Sequence, residues 1–233
     1  MSPTMTPTGT PTPTANGAKI TAPKSETLKS VGIGLGLSST KTFTIKNSGK
    51  KGAGDLIGTI AINPVTSPTV FSIAPTSFDV PVGKTAVETV TFTPDPASAT
   101  TAYTATAVIT SNASNGTVSV ALKGAGLPGK LTVPKTFAPK ATVGTPSTAN
   151  LTFKNAGKGA LSGSWTGVST PPYSVTAGTF GPLQPGATST IPVTFTPTAK
   201  GPGTPTATIT ITVAAPSTGT ATVTLKGVGA LPK

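Results

Sequence analysis

Apolar and polar residues alternate with a period of two along most of the chain. Phe43 and Ile45 alternate with Thr42, Thr44 and Lys46. Val90 and Phe92 alternate with Thr89, Thr91 and Thr93. Ala105, Ala107 and Ile109 stand between Thr104, Thr106 and Thr110, and Val118, Val120 and Leu122 between Thr117, Ser119, Ala121 and Lys123. The same rhythm returns at Leu151 and Phe153, at Ile191, Val193 and Phe195, at Ile209, Ile211 and Val213, and at Val223 and Leu225. Period two puts one side-chain class on each face of a strand, so these runs predict antiparallel strands with one apolar face and one wet, Thr-rich face. Asn115-Gly116 lies between two such runs and predicts a hairpin, with Thr218-Gly219 as its counterpart. No stretch has helical periodicity.

The pattern repeats. TFTIKNSGKKGAG (42–54) matches NLTFKNAGKGA (150–160), and VTFTPDPAS (90–98) matches VTFTPTAKG (193–201). ATAVITSNASNGTVSVALKGAG (105–126) matches ATITITVAAPSTGTATVTLKGVG (207–229). The blocks keep their order at an offset of roughly 103–108 positions, one sandwich domain in length. The expectation is all-β: two tandem immunoglobulin-like antiparallel β-sandwiches, at 19–127 and 130–230. They are joined by LPGK and preceded by an extended Thr/Pro-rich tail over 1–18. The closing GALPK echoes the junction and suggests that a further module follows.

Run 71–126 resembles the ASPM–SPD-2–Hydin (ASH) class of immunoglobulin-like repeats and is similar to bacterial choice-of-anchor D modules. The resemblance rests on Val80, Val82 and Gly83, on Val90 to Pro94, on Ile109 to Asn112 and on Leu122 to Gly126. The second repeat keeps Leu183 to Gly186, Val193 to Pro197 and Leu225 to Gly229, and departs at Val213-Ala214-Ala215. The resemblance implies a tandem-array module of a large surface or secreted protein, or of a ciliary or centrosomal one. The Thr/Pro tract favours the bacterial kind.

Composition narrows the chemistry. His and Cys are absent, and all 17 basic residues are Lys. The usual general base, thiolate, common zinc ligands and bidentate phosphate clamp are therefore missing, and disulfides contribute nothing. The five acids are Glu26, Asp55, Asp79, Glu88 and Asp95. They fall on different segments, too dispersed for a carboxylate pair, and Asp55 and Asp95 read as solvated turn residues rather than calcium ligands. Lys46 and Asn47 are neighbours on one strand and point opposite ways, so they cannot join in an isopeptide bond. The reading is not an enzyme, with no cofactor and no metal. The net charge of +12 is uneven, because residues 96–233 hold nine Lys and no acid. The second half is expected to be drawn to anionic surfaces. Lys without Arg or interleaved aromatics disfavours nucleic acid as a partner. No run is long and apolar enough for a transmembrane segment, and the first residues lack the apolar core of a signal peptide.

Candidate ligand-facing residues are few. Trp165, the one Trp, replaces Ile60 in the repeat alignment and reads first as a core or sheet-edge residue. With Tyr173 in the loop after Pro171-Pro172, and with Lys158, it is also the place to look for an acidic sugar. Lys50, Lys51 and Lys158 occupy equivalent Gly-rich loops and read as exposed turns or an anion-facing rim. Sequons at Asn112, Asn115 and Asn150 are expected by chance in so Thr-rich a chain.

The expected role is a non-catalytic structural or adhesive module at a bacterial cell surface or in the extracellular space. Its partners would be other copies, neighbouring modules, or an anionic glycan or cell-envelope polymer. One alternative is a subunit of an extracellular filament or virion surface, assembling by strand addition through its tail or an edge strand. Another is lectin-like binding of anionic polysaccharide by the second domain.

Overall fold

A computed structural model of the chain describes residues 17–64, 69–99, 101–202 and 205–233. Every regular element among them is a strand, and no helix there is long and apolar enough to cross a membrane. The fold is all-β and immunoglobulin-like. The expected Thr/Pro tail lies, over residues 1–16, outside the described residues. Ala18, placed in that tail by composition, is instead fully buried, and its carbonyl accepts from Ser114 N–H.

The first repeat contributes β1 (Ile20–Thr21), β2 (Ser25–Thr27), β3 (Val31–Gly32), β4 (Ser39–Asn47), β5 (Leu56–Asn63), β6 (Phe71–Ala74), β7 (Ser77–Val80), β8 (Thr85–Phe92), β9 (Ala102–Ser111) and β10 (Val118–Leu127). The second contributes β11 (Leu131–Thr132), β12 (Thr136–Phe137), β13 (Lys140–Thr142), β14 (Ser147–Asn155), β15 (Leu161–Trp165), β16 (Tyr173–Ser174), β17 (Gly178–Leu183), β18 (Thr188–Phe195), β19 (Gly201–Pro202), β20 (Ala207–Val213), β21 (Thr220–Leu225) and β22 (Val228–Ala230).

One sheet of the first repeat has the order β1-β4-β8-β6, and one of the second has β11-β14-β18-β16. The other sheets run β2-β10-β9-β5-β7, with β3 added on β10, and β12-β21-β20-β15-β17. A small third sheet, β13-β22-β19, belongs to the second repeat. By their contacts the residues group into two compact units. Val31–Leu37 and Pro94–Thr101 count with Gly126–Lys233.

The alternation does what it predicts. Along β4, Phe43, Ile45 and Asn47 are buried while Thr42, Thr44 and Lys46 are exposed. In the second repeat Leu151, Phe153, Leu161, Ile191, Phe195, Ile211 and Leu225 form one cluster. Each such side chain stabilises the fold by about 1.5–3 kcal/mol on burial.

The antiparallel expectation needs one amendment. β1 and β11, which open the repeats, pair antiparallel with β4 and β14, but the short strands after them pair in parallel with the closing ones: β2 with β10, β3 with the end of β10, β12 with β21, and β13 with β22. Segments of two or three residues carry no measurable alternation, so the sequence had no means of announcing them. The Asn115-Gly116 hairpin also differs from a two-residue turn. Its ladder closes at Val118 opposite Ile109, leaving a longer loop in which Gly116 takes φ 78°.

Candidate functional site

The two K-N-x-G loops are built around a buried asparagine. Asn47 ends β4 and is fully buried. Its side-chain amide donates to Gly54 O at 3.1 Å and Val80 O at 3.0 Å. Its side-chain oxygen accepts from Gly49 N–H at 3.1 Å and Lys19 N–H at 3.5 Å. Asn155 repeats the arrangement at the end of β14. It donates to Gly159 O (2.8 Å) and Leu183 O (2.9 Å), and accepts from Gly157 N–H (2.9 Å) and Lys130 N–H (3.1 Å). All four bonding positions of a primary amide are used, which is what a buried amide needs to avoid a desolvation penalty. Each asparagine thus latches its loop to the incoming strand and to the strand across the sandwich.

The loops that composition marks as exposed turns are exposed at their lysines and locked underneath. Lys50 and Lys51 line an open groove of about 460 Å³ with Gly17, Lys19, Gly52, Ala53 and Ser114. One of its lining residues, Lys19, is tied by its backbone N–H to the Asn47 side chain. Three ammonium groups and no carboxylate border the groove, so an anion entering meets only attraction. Lys158 is exposed in the matching loop of the second repeat. There the backbone is held by Lys158 and Gly159 N–H groups donating to Pro128 O at 3.1 Å.

Trp165 and Tyr173 do not join Lys158. Tyr173 is not in a loop but in β16, and it is buried. Its ring stacks on Phe195 with centroids 5.2 Å apart, and its hydroxyl accepts from Gly227 N–H at 2.6 Å. The aligned position in the first repeat, opposite Phe92 as Tyr173 is opposite Phe195, is Phe71. Trp165 ends β15, whereas Lys158 precedes its start. Trp165 pairs with Ile211 as Ile60 pairs with Ile109, so the ladder supports the Ile60–Trp165 alignment. Its indole is half-buried, edge-on to Phe153 and stacked over Phe180, and its Nε1–H donates to Thr176 O at 2.9 Å. Its polar atom is spent on the fold.

Other polar side chains that a reading by residue type passes over also serve the backbone. Asn112 accepts from Ile57 N–H and donates to Asp55 O, and Asn115 does the same with both backbone groups of Ile20. Two of the three sequons are therefore structural ties. Their signal in the sequence is position: each asparagine follows the end of an alternating run, where a side-chain amide can stand in for a missing strand partner.

Glu88 is the exception. It is fully buried in β8 opposite Phe43, and neither carboxylate oxygen has a hydrogen-bond partner. Burial raises its pKa above the ordinary value of 4.5. No group of three or more His, Cys, Asp or Glu side chains gathers among the described residues.

No protein-family model and no curated protein sequence matches the chain. Among solved structures it is similar to the ASH/PapD-like domain 7 of human CEP192, with 16% identity and a TM-score of 0.38 over 53% of this chain and 97% of that one. A protein from Porphyromonas gingivalis W83 aligns over 91% of this chain and 99% of its own, with 13% identity and a TM-score of 0.34. The YadV chaperone aligns over 89% and 99%, with 10% identity and a TM-score of 0.33.

Proposed function

We propose that this chain is a non-catalytic structural module of a bacterial cell-surface or extracellular protein, suited to bearing load along its length and to touching anionic polymer through its lysine loops. The observation that carries this reading is the parallel pairing of β2 with β10 in the first repeat, and of β12 with β21 and β13 with β22 in the second. Once the two-residue β1–β4 or β11–β14 pair has given way, tension applied to the ends of a repeat pulls β2 or β12 by its N-terminal end and the closing strand by the C-terminus. In a parallel pair these pulls oppose each other along one axis, so the ladder bonds share the load. An antiparallel terminal pair would open one bond at a time.

The bonds in question are Ala121 N–H to Lys24 O (3.0 Å) and Leu28 N–H to Lys123 O (2.8 Å) in the first repeat. In the second they are Thr224 N–H to Lys135 O (3.0 Å), Lys226 N–H to Phe137 O (2.8 Å) and Val228 N–H to Pro139 O (2.9 Å). The groove lined by Lys19, Lys50 and Lys51 supports the adhesive half of the reading. The wet Thr faces keep such a module soluble with few charges.

Stretching single molecules by their two ends tests this. Val228→Pro removes one clamp donor on an exposed side chain, at an equilibrium cost of about 0.5–1.5 kcal/mol. It should lower the rupture force of the second unit far more than it lowers the denaturant midpoint, because forced unfolding follows the unfolding rate. A wild-type chain that unzips at low force, or a Val228→Pro chain that ruptures like wild type, would overturn the load-bearing reading.

A further inference from the structure

One edge of the first unit is open, and the chain carries a segment patterned to fill it. Asn47 N–H donates to Lys84 O, and Asn47 O accepts from Gly83 N–H. Odd-numbered residues of β4 therefore turn their backbone groups toward β8, and even-numbered residues turn theirs the other way. On that second side β1 pairs with Asn47 and Lys46 only. The chain then leaves the lane at Ala22-Pro23 to form β2 in the other sheet. Among the described residues no strand meets Thr40, Thr42 or Thr44 there. Beside this edge runs a groove of about 530 Å³, lined by Thr21, Pro23, Glu26, Thr42, Phe43 and Thr44 among others. Lys41 and Glu26 pair at 2.6 Å beside it, and Lys46 leaves one ammonium group at the β1 end of the groove.

Residues 1–16 alternate without exception. The odd positions are Met1, Pro3, Met5, Pro7, Gly9, Pro11, Pro13 and Ala15, and the even ones are Ser2, six threonines and Asn16. Every proline is at an odd position. In an extended strand the N–H groups of even residues all point to one edge, so that edge keeps every donor and the missing donors all fall on the other. Only antiparallel pairing on β4 satisfies both patterns. There, bonded residues lie directly opposite each other and share a face. Ser and Thr of the segment would stand beside Thr40, Thr42 and Thr44 on the wet face, and Met and Pro beside Phe43 and Ile45 on the inner one. Parallel pairing would turn the threonines inward.

We infer that a stretch of about seven residues within 2–14 of one copy adds as an antiparallel edge strand to the Ser39–Ile45 part of β4 in a second copy, continuing the lane that β1 begins. The same chain is a poor donor, because Gly17 lies at the Asn47 end beside Ala53 and β1 blocks the way back. Donor and acceptor are different surfaces, so the contact is head-to-tail and builds an open filament, or a ring where its rotation closes. The prolines close the outer edge of the added strand against further sheet growth. The inference rests on the structural reading of the chain, but rupture force can be measured without the tail, so either can fail alone.

The test uses the full chain, a deletion of residues 2–14, and the triple variant Thr6→Pro, Thr8→Pro, Thr10→Pro. Sedimentation should show concentration-dependent association of the full chain, lost in both variants. Amides of Thr40, Thr42 and Thr44 should exchange at least about tenfold more slowly in the associated chain, and a synthetic peptide of residues 1–16 should restore that protection to the deletion variant. Thr42→Pro, whose N–H faces the open edge, should abolish association as an acceptor defect. A chain that stays monomeric overturns the inference, even with the three amides protected, since that would mean docking within one copy. Association that survives the triple proline variant overturns it as well.

Discussion

Glu88 occupies a position that the second repeat fills with an aliphatic side chain. Phe43 faces Glu88 across the ladder as Leu151 faces Ile191, and Ile191 is fully buried. A carboxyl without partners in that environment is held by the fold at a cost that depends on its charge. Its folded pKa is raised above 4.5. The stability it contributes is therefore fully present below pH 4.5 and is lost as pH rises through the raised folded value. The first unit should melt at a lower temperature at pH 7 than at pH 4. Glu88→Ile should flatten that dependence and stabilise the unit by about 1–3 kcal/mol at pH 7. Thermal melts of both chains across this range would check it, and equal slopes would refute it. Nothing in the sequence marks Glu88 as buried except its parity. It shares the face of Val90 and Phe92, and a charged residue on that face is usually taken for the frayed start of a strand. The buried Asn47 and Asn155 are harder still to see, because a lysine precedes each and a glycine follows two residues later, which reads as a plain turn.

At the scale of elements, alternation of two or three apolar residues with polar ones was enough to place β4, β8, β9, β10, β14, β18, β20 and β21 and their inner faces, though not β5. It failed for the short strands and for Tyr173, whose neighbouring prolines suggest a loop although its hydroxyl is needed at Gly227. Close approach of strands was also hidden. A Cβ on Gly163 would overlap the Thr212 carbonyl and lie 2.8 Å from Phe180 Cζ, and one on Gly58 would lie 2.5 Å from both Phe78 Cζ and Thr110 O. The glycines let one phenylalanine per repeat lie flat against its sheet. Because a backbone carbonyl cannot move aside, Gly163→Ala should destabilise the second unit by about 1–3 kcal/mol, readable as a shift in its urea midpoint. A midpoint within error of wild type would show that the strands can part. Pro192 shows a different economy within β18. It lies opposite Asn150, between the bonded pairs, so its missing N–H falls on the side that β16 leaves uncovered and the β14 ladder stays intact.

For the whole molecule, charge is the property that reaches furthest. Seventeen lysines and five acids leave +12, carried on point charges that attract anions without the forked geometry of arginine. Binding to an anionic polysaccharide resin should therefore be loose, tolerant of polymer chemistry, and strongly salt-dependent. Lys50→Gln with Lys51→Gln should elute at clearly lower salt, while Trp165→Ala should not, since the indole is committed to Phe180 and Thr176. Elution unchanged by the lysine pair would remove the groove from the adhesive role. The parallel pairing of β2 with β10 has a further consequence, for how the chain is made. On the ribosome, Ser25 emerges long before Ala121, its partner in the finished unit. At roughly 5–20 residues per second the opening strand waits several seconds for its neighbour. During that interval the nascent polypeptide holds a half-closed sandwich, and the cell must keep it from pairing with the wrong strand.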